Sequence, residues 1–252
     1  MDFHCHLDLY PNAREVFAQA VERNMFTWLV TTSPRAFSAT SKVLGGHANV
    51  LITPGLHPEI VHERYGELET LIEQIKDAAA VGEVGLDGSR RFQHSYEAQR
   101  NVFSAVVAQC ANVGGRVLSI HSRQAVKDVL SVLDEHPGFG TAVLHWFTGT
   151  AAELKSAADM GCWFSIGPAA FNSASGKALS KKLPRERVVP ESDGPFAQVN
   201  GATVMPWSSG QTAELLAEAW DVPVGEVAMT LEFNARQLIG LIHGAERINW
   251  RS

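Results

Sequence analysis

Eight short apolar runs, each followed by a longer stretch of helical period, constrain this chain more than any other feature. They are DFHCH from Asp2, FTWLVTT from Phe26, VLITPG from Val50, AAAVGEVG from Ala78, RVLSIH from Arg116, TAVLHW from Thr141, CWFSIG from Cys162 and RVVPESD from Arg187. These runs are rich in β-branched and apolar residues, whereas NAREVFAQAVER, SYEAQRNVFSAVVAQCANV and SRQAVKDVLSVLDEH place apolar residues three and four apart. Such alternation builds a parallel sheet with helices outside it, and roughly eight βα units is the number at which that sheet closes. The expectation is an α/β protein, a single (β/α)8 TIM barrel over residues 1–252, with GQTAELLAEAW and VPVGEVAMTLEFNARQLIGLI as two further helices packed outside. Pro190 conflicts locally with the eighth strand because proline donates no ladder hydrogen bond, so that strand is expected to be short or bulged.

Charge and cysteine usage narrow the functions open to it. With 21 Lys and Arg against 27 Asp and Glu, the net charge of -6 provides no global basic field for a long polyanion, and any nucleic-acid contact has to be local. Cys5, Cys110 and Cys162 are odd in number and far apart, which does not read as a disulfide framework. The first apolar run begins directly after Met1 with no basic segment or cleavage pattern, and no apolar stretch approaches membrane-spanning length. A soluble cytoplasmic protein without a membrane partner is expected.

The unusual polar residues fall at strand ends: His4 and His6 on the first run, Glu83 on the fourth, His121 and His145 ending the fifth and sixth, and Asp193 after the eighth. In a parallel barrel all C-terminal strand ends open on one face, so four imidazoles and two carboxylates are expected to converge there. Singly, each has an ordinary structural explanation as a satisfied core histidine, an ion-pair partner or a turn residue. Jointly, burying them without a cation would leave several kcal/mol of unmet desolvation and repulsion. The period-two alternation of a strand puts Asp2, His4 and His6 on one face and Phe3, Cys5 and Leu7 on the other, so Cys5 is expected to pack against helices. Asp2 and Asp8 are candidate acceptors that orient the imidazoles or, equally, structural hydrogen-bonding residues.

The stretches DFHCHLD, GLHPE, GEVGLD, IHSRQA, HWFTG, FSIGP, ESDGPF and NARQLIGL, in that order along nearly the whole chain, resemble the TatD family of metal-dependent deoxyribonucleases. The resemblance implies two divalent ions: His4, His6 and Asp193 on one, His121 and His145 on the other, and Glu83 bridging them. A mixed N/O donor set of this kind suits Mg, Mn or Zn. The wording of DFHCHLD and the short ESDGPF variant resemble the TatD-like nuclease subunit of the Qat anti-phage defence cassette, which implies defence-system protein partners. The chain departs from the family pattern in SDGPFAQVNGATVMPWSSG, which has no arginine, in Glu59 of GLHPE, where many relatives carry a second histidine, and in Gly88 of GLDGSRR, where an aromatic is common.

These features point to hydrolysis of phosphodiesters at a DNA end or single strand. Asp193 is the candidate proton acceptor or a pure ligand, Glu83 the bridge, and His57 a phosphate contact, a donor to the leaving oxygen or a structural turn residue. Arg123 and Arg90 or Arg91 can supply positive charge at the rim; Trp146, Phe147 and Phe196 can stack on a base or pack in the barrel wall. Two other classes stay open: an amidohydrolase acting on a C–N bond, against which Glu83 stands where many two-metal members use a bridging lysine, and a metal-stabilised subunit of a defence assembly.

Overall fold

The structure, a computed structural model, describes residues 1–244; positions 245–252, part of the expected 1–252 unit, lie outside the described residues. All eight apolar runs are strands: β1 (Asp2–Cys5), β2 (Thr27–Val30), β3 (Val50–Thr53), β4 (Ala80–Gly85), β5 (Arg116–His121), β6 (Gly140–His145), β7 (Trp163–Ile166) and β8 (Val188–Pro190). The helices between them are α1 (Ala13–Arg23), α2 (Pro34–Leu44), α3 (Val61–Arg64), α4 (Leu68–Asp77), α5 (Tyr96–Asn112), α6 (Val126–Glu135), α7 (Ala151–Asp159) and α8 (Ala174–Ser180). A two-stranded antiparallel hairpin, β9 (Gln198–Val199) and β10 (Ala202–Thr203), then leads to α9 (Ser209–Trp220) and α10 (Val224–His243). β8 stops at Pro190 after three residues and keeps an unshifted parallel register with β7, so the strand is short rather than bulged.

The parallel ladder runs in chain order through β1–β2–β3 and through β4 to β8. Two seams close it. At the first, the Gly82 N–H donates to the Pro54 carbonyl at 2.9 Å, while Thr31 and Glu83 exchange backbone bonds with Gly82 and Thr31 at 3.1 Å. At the second, the Asp193 N–H donates to the His4 carbonyl at 2.9 Å. Buried Asp2 staples that seam, its carboxylate accepting from the Ser192 N–H at 3.0 Å and the Ser192 hydroxyl at 2.6 Å. Asp2 also accepts the backbone N–H of His4, and Asp8 accepts from the Thr40 hydroxyl; of the two roles open from sequence, both take the structural one and neither orients an imidazole. Their partners lie on distant segments, Ser192 beyond β8 and Thr40 on α2, which sequence position does not reveal.

Alternation along the strands separates an inner from an outer layer. Val117, Val143, Trp163 and Val189 form one inner cluster with Trp28, Val30 and Ala80. Their neighbours Leu118, Leu144, Phe164 and Val188 pack outward against the helices, as does Cys5 with Val16, Phe17 and Ala20 of α1. Phe3 breaks the expected pattern by joining the inner cluster, because β1 shifts register between Asp2 and Cys5. α9 packs outside as expected, with Leu216 and Trp220 in the outer core. α10 does not merely pack outside: Ala235, Leu238, Ile239 and Ile242, spaced by three and four, join the inner cluster and floor the barrel beneath the strand starts. An open floor would leave those inner apolar residues in water, which explains why the last helix turns under the sheet.

Gly55 is one of the tight points where this framework meets the barrel mouth. A Cβ there would lie 2.4 Å from the Glu83 nitrogen and 2.5 Å from its carbonyl oxygen, both backbone atoms that cannot swing away. Gly55→Ala should therefore lose about 1–3 kcal/mol and melt roughly 2–10 °C lower in calorimetry. Gly66→Ala, with open space around it, should stay within about 0.5 kcal/mol of the parent.

Candidate metal centre

At the C-terminal ends of the strands the Glu83 carboxylate sits in a ring of imidazoles. Its Oε2 faces His6 Nε2 at 3.2 Å and His4 Nε2 at 3.5 Å; its Oε1 faces His121 Nδ1 and His145 Nε2, both at 2.9 Å, and His57 Nε2 at 3.1 Å. Asp193 closes the His4 and His6 side, with Oδ1 3.6 and 3.7 Å from their Nε2 atoms. All six residues expected at the mouth are thus brought together, and His57 joins them. Among the described residues four sets of three donors lie close enough to hold a metal ion: His4, His6 and Glu83; His4, His145 and Asp193; His57, Glu83 and His121; and Glu59, Asp87 and His121.

The imidazoles are aimed from behind by residues that sequence reasoning missed. His121 Nε2 meets Asp87 Oδ2 at 3.0 Å, which leaves Nδ1 turned to Glu83. Asp87 is itself fixed, its Oδ1 accepting the Ser89 N–H and its own N–H donating to the buried Gln99 side chain. His4 Nδ1 lies 2.7 Å from the Ser119 hydroxyl. His57 Nδ1 accepts the Glu59 N–H at 3.1 Å, so its proton resides on Nε2, toward Glu83. Glu191 accepts from the Ser165 hydroxyl and the Trp146 N–H, and lies 3.8 Å from His145 Nδ1. Period two was the available signal for Glu191, two residues before Asp193, as strand-end position was for Asp87.

The clustered groups shift one another's ionisation. Burial disfavours the His145 imidazolium, yet Glu83, Glu191 and Asp193 around it prevail and push its pKa up to about 10. Burial also raises Glu191, to about 8, and raises Asp193, while the histidines around Glu83 outweigh its burial and hold it well below the usual carboxylate range. Buried His4 Nε2 and Glu83 Oε2 nevertheless have no hydrogen-bond partner, and both point into the cluster. A divalent ion fits these observations: it would accept the unpaired His4 nitrogen and Glu83 oxygen as donors.

The cluster forms the base of a cavity of about 810 Å3 lined by Arg123, Trp146, Phe147 and Phe196. Arg90 and Arg91 do not line it, and the Arg91 guanidinium lies over the Phe92 ring instead. Of the three aromatics, Phe147 is the packed one, edge-on to Phe164. Phe196 is 60% exposed and edge-on to His6, while Trp146 packs beside Ala169, Ala197 and Val204. The arginine-free segment after Asp193 is an ordered rim: Tyr10 donates to the Val204 carbonyl, and the Val204 N–H donates to the Ala197 carbonyl.

Residues 1–240 match the family model described as TatD related DNase. The chain is 28% identical to the 3'-5' ssDNA/RNA exonuclease TatD of Pantoea ananatis, over 90% of this chain and 93% of that protein. It is also 28% identical to the human deoxyribonuclease TATDN3, over 94% of this chain and 93% of that protein. The fold matches the crystal structure of YJJV, a TatD homolog from Escherichia coli K12, with a TM-score of 0.82 at 21% identity over 94% of this chain and 96% of that one.

Asp87→Asn should keep the bond from Ser89 but no longer hold the His121 Nε2 proton as a carboxylate does. Calorimetric titration with Mn2+ or Zn2+ should show affinity reduced by about 10- to 100-fold.

Proposed function

This chain belongs to the TatD family of related DNases, and from that premise we propose that it is a divalent-metal-dependent hydrolase cleaving DNA phosphodiesters at an end or in a single strand. The observation that carries the reading is Glu83, whose two oxygens face different histidine sets: His4 and His6 on one side, His121 and His145 on the other. One ion would be held by His4, His6 and Asp193 and a second by His121 and His145, with Glu83 shared; Mg, Mn and Zn all suit the donors. Bound there, such ions supply Lewis acidity toward phosphate oxygens and lower the pKa of water.

The chain's own groups do the rest. Asp193 takes the proton of the attacking water as its oxygen bonds to phosphorus, and the P–O bond opposite breaks. His57, with its proton on Nε2, donates to a phosphate or leaving oxygen. Arg123 contacts the phosphate at the rim, and Trp146 and Phe196 offer ring faces to bases. With net charge -6, sustained tracking along duplex is disfavoured, so a frayed or single-stranded terminus entering the mouth is the favoured substrate.

The narrower reading is a cytoplasmic nuclease of anti-phage defence whose protein partners supply contacts that the arginine-free rim lacks. Its support is the wording of DFHCHLD and ESDGPF. Among the described residues no helix is long and apolar enough to cross a membrane, and the three cysteines are free and buried.

Purified protein with Mg2+ or Mn2+ should release nucleotides from short single-stranded DNA, and a chelator should stop it. Glu83→Ala and Asp193→Asn should each lower kcat/KM by at least about 100-fold. Turnover of an amide panel with no turnover of phosphodiesters would move the chain to the C–N hydrolase class. Loss of phage protection in Asp193→Asn is the outcome expected of a catalytic defence role; protection that survives it, with partner binding intact, would make the chain a structural subunit.

A further inference from the structure

We propose that Glu59 reads the terminus of the substrate, accepting a hydrogen bond from a terminal sugar hydroxyl and repelling a terminal phosphate. The inference rests on the phosphodiester reading above and adds which kind of chain end the mouth accepts.

Glu59 is the odd acid of the mouth. Every other carboxylate there is engaged: Glu83 and Asp193 with the histidines, Asp87 with His121 and Ser89, Glu191 with Ser165 and Trp146. The Glu59 carboxylate has no hydrogen bond or ion pair among the described residues, yet it lines the cavity and lies within 4.8 Å of donor atoms of His121 and Asp87. Its backbone is fixed, since its N–H donates to His57 Nδ1 at 3.1 Å and the Ile60 N–H returns to the His57 carbonyl at 3.1 Å. An acid held beside a phosphate-binding centre opposes phosphate unless it has a different group to meet.

Arg123 lines the same cavity. It is the one lysine or arginine lining the cavity among the described residues, and its guanidinium has no partner there. Its loop is tied to the β4 loop by the Gly88 N–H donating to the Arg123 carbonyl at 2.9 Å. A Cβ on Gly88 would lie 2.3 Å from the Gln124 carbonyl oxygen, so the absence of a side chain at that position permits the approach. One free cation and one free carboxylate complement a unit with one phosphodiester and one hydroxyl. A hydroxyl donates to a carboxylate in a strong charge-assisted bond, whereas a second phosphate would face Glu59 at close range, where salt screens little.

The test compares single-stranded oligonucleotides ending in hydroxyl or phosphate, at each end in turn, with the full-length protein and Mg2+ or Mn2+. At the digested end the wild type should prefer the hydroxyl form by at least about tenfold in kcat/KM. Glu59→Gln should lower the rate on the hydroxyl form and raise it on the phosphate form, bringing the ratio to about threefold or less. Arg123→Ala should raise KM for both forms alike and leave the ratio standing. A wild type that does not discriminate, or a ratio unmoved in Glu59→Gln, overturns the proposal. Calorimetry with thymidine 5'-monophosphate, thymidine 3'-monophosphate and thymidine 3',5'-bisphosphate gives a readout free of turnover. Stronger binding of one monophosphate than of the bisphosphate, equalised in Glu59→Gln, supports the role of Glu59 even if no oligonucleotide is cut; equal binding of all three to the wild type, or no binding of any, counts against it.

Discussion

A carboxylate buried at the centre of five imidazoles is the constraint around which this barrel is arranged. Taken alone, Glu83 would be too costly to ionise so far from water. His57, His145 and His4 reverse that cost and hold it well below the usual carboxylate range. Each of those rings comes from a different strand end or the loop beyond it, so the arrangement exists only when the sheet is closed. The seams that close it run through the same neighbourhood: Thr31 and Pro54 bond to the backbone of Gly82 and Glu83, and the Asp193 N–H bonds to the His4 carbonyl. Closing the barrel and assembling the site are one event.

The ends of the barrel are treated differently, and the difference serves chemistry. Below, α10 fills the floor with Leu238, Ile239 and Ile242, so the lower interior is packed and apolar. Above, polar groups replace apolar ones on the same inward-facing positions, Ser119 and His121 following Val117, Ser165 following Trp163. Those serines hold His4 and Glu191, and Glu191 in turn accepts the Trp146 N–H and lies 3.8 Å from His145 Nδ1. A reacting centre set on strand ends and braced this way needs little reorganisation when charge develops in it.

How much of this the sequence disclosed follows from which interactions are local. Buried parallel strands need apolar runs, so all eight were legible, and the shared face of their C-terminal ends made the convergence of His4, His6, Glu83, His121, His145 and Asp193 legible too. What could not be read were pairings between distant segments. Asp2 and Asp8 could equally partner the adjacent histidines or make structural bonds, and only the fold shows that their acceptors serve Ser192 and Thr40. Phe3 turned inward because of a register shift that its own alternation does not announce. α10 has the same three- and four-residue spacing whether it lies beside the barrel or under it, and only the exposed floor decides between them.

The acidic balance of the chain and its arginine-free rim become consistent once the two sources of substrate grip are separated. On the proposed reading, positive charge is needed only where phosphate meets the Glu83 cluster, and a donor set with unpaired nitrogen and oxygen atoms suits its import as a cation. Beyond that point the mouth offers rings rather than charge: Phe196 stands exposed over His6, and Trp146 is held by Glu191 through its backbone N–H. Rings hold bases whatever their identity and only when they are unstacked from a partner strand. On the proposed phosphodiester reading, a rim of this kind would favour single strands and ends over duplex through geometry, and added arginines would weaken that selection by rewarding any polyanion that touched the surface.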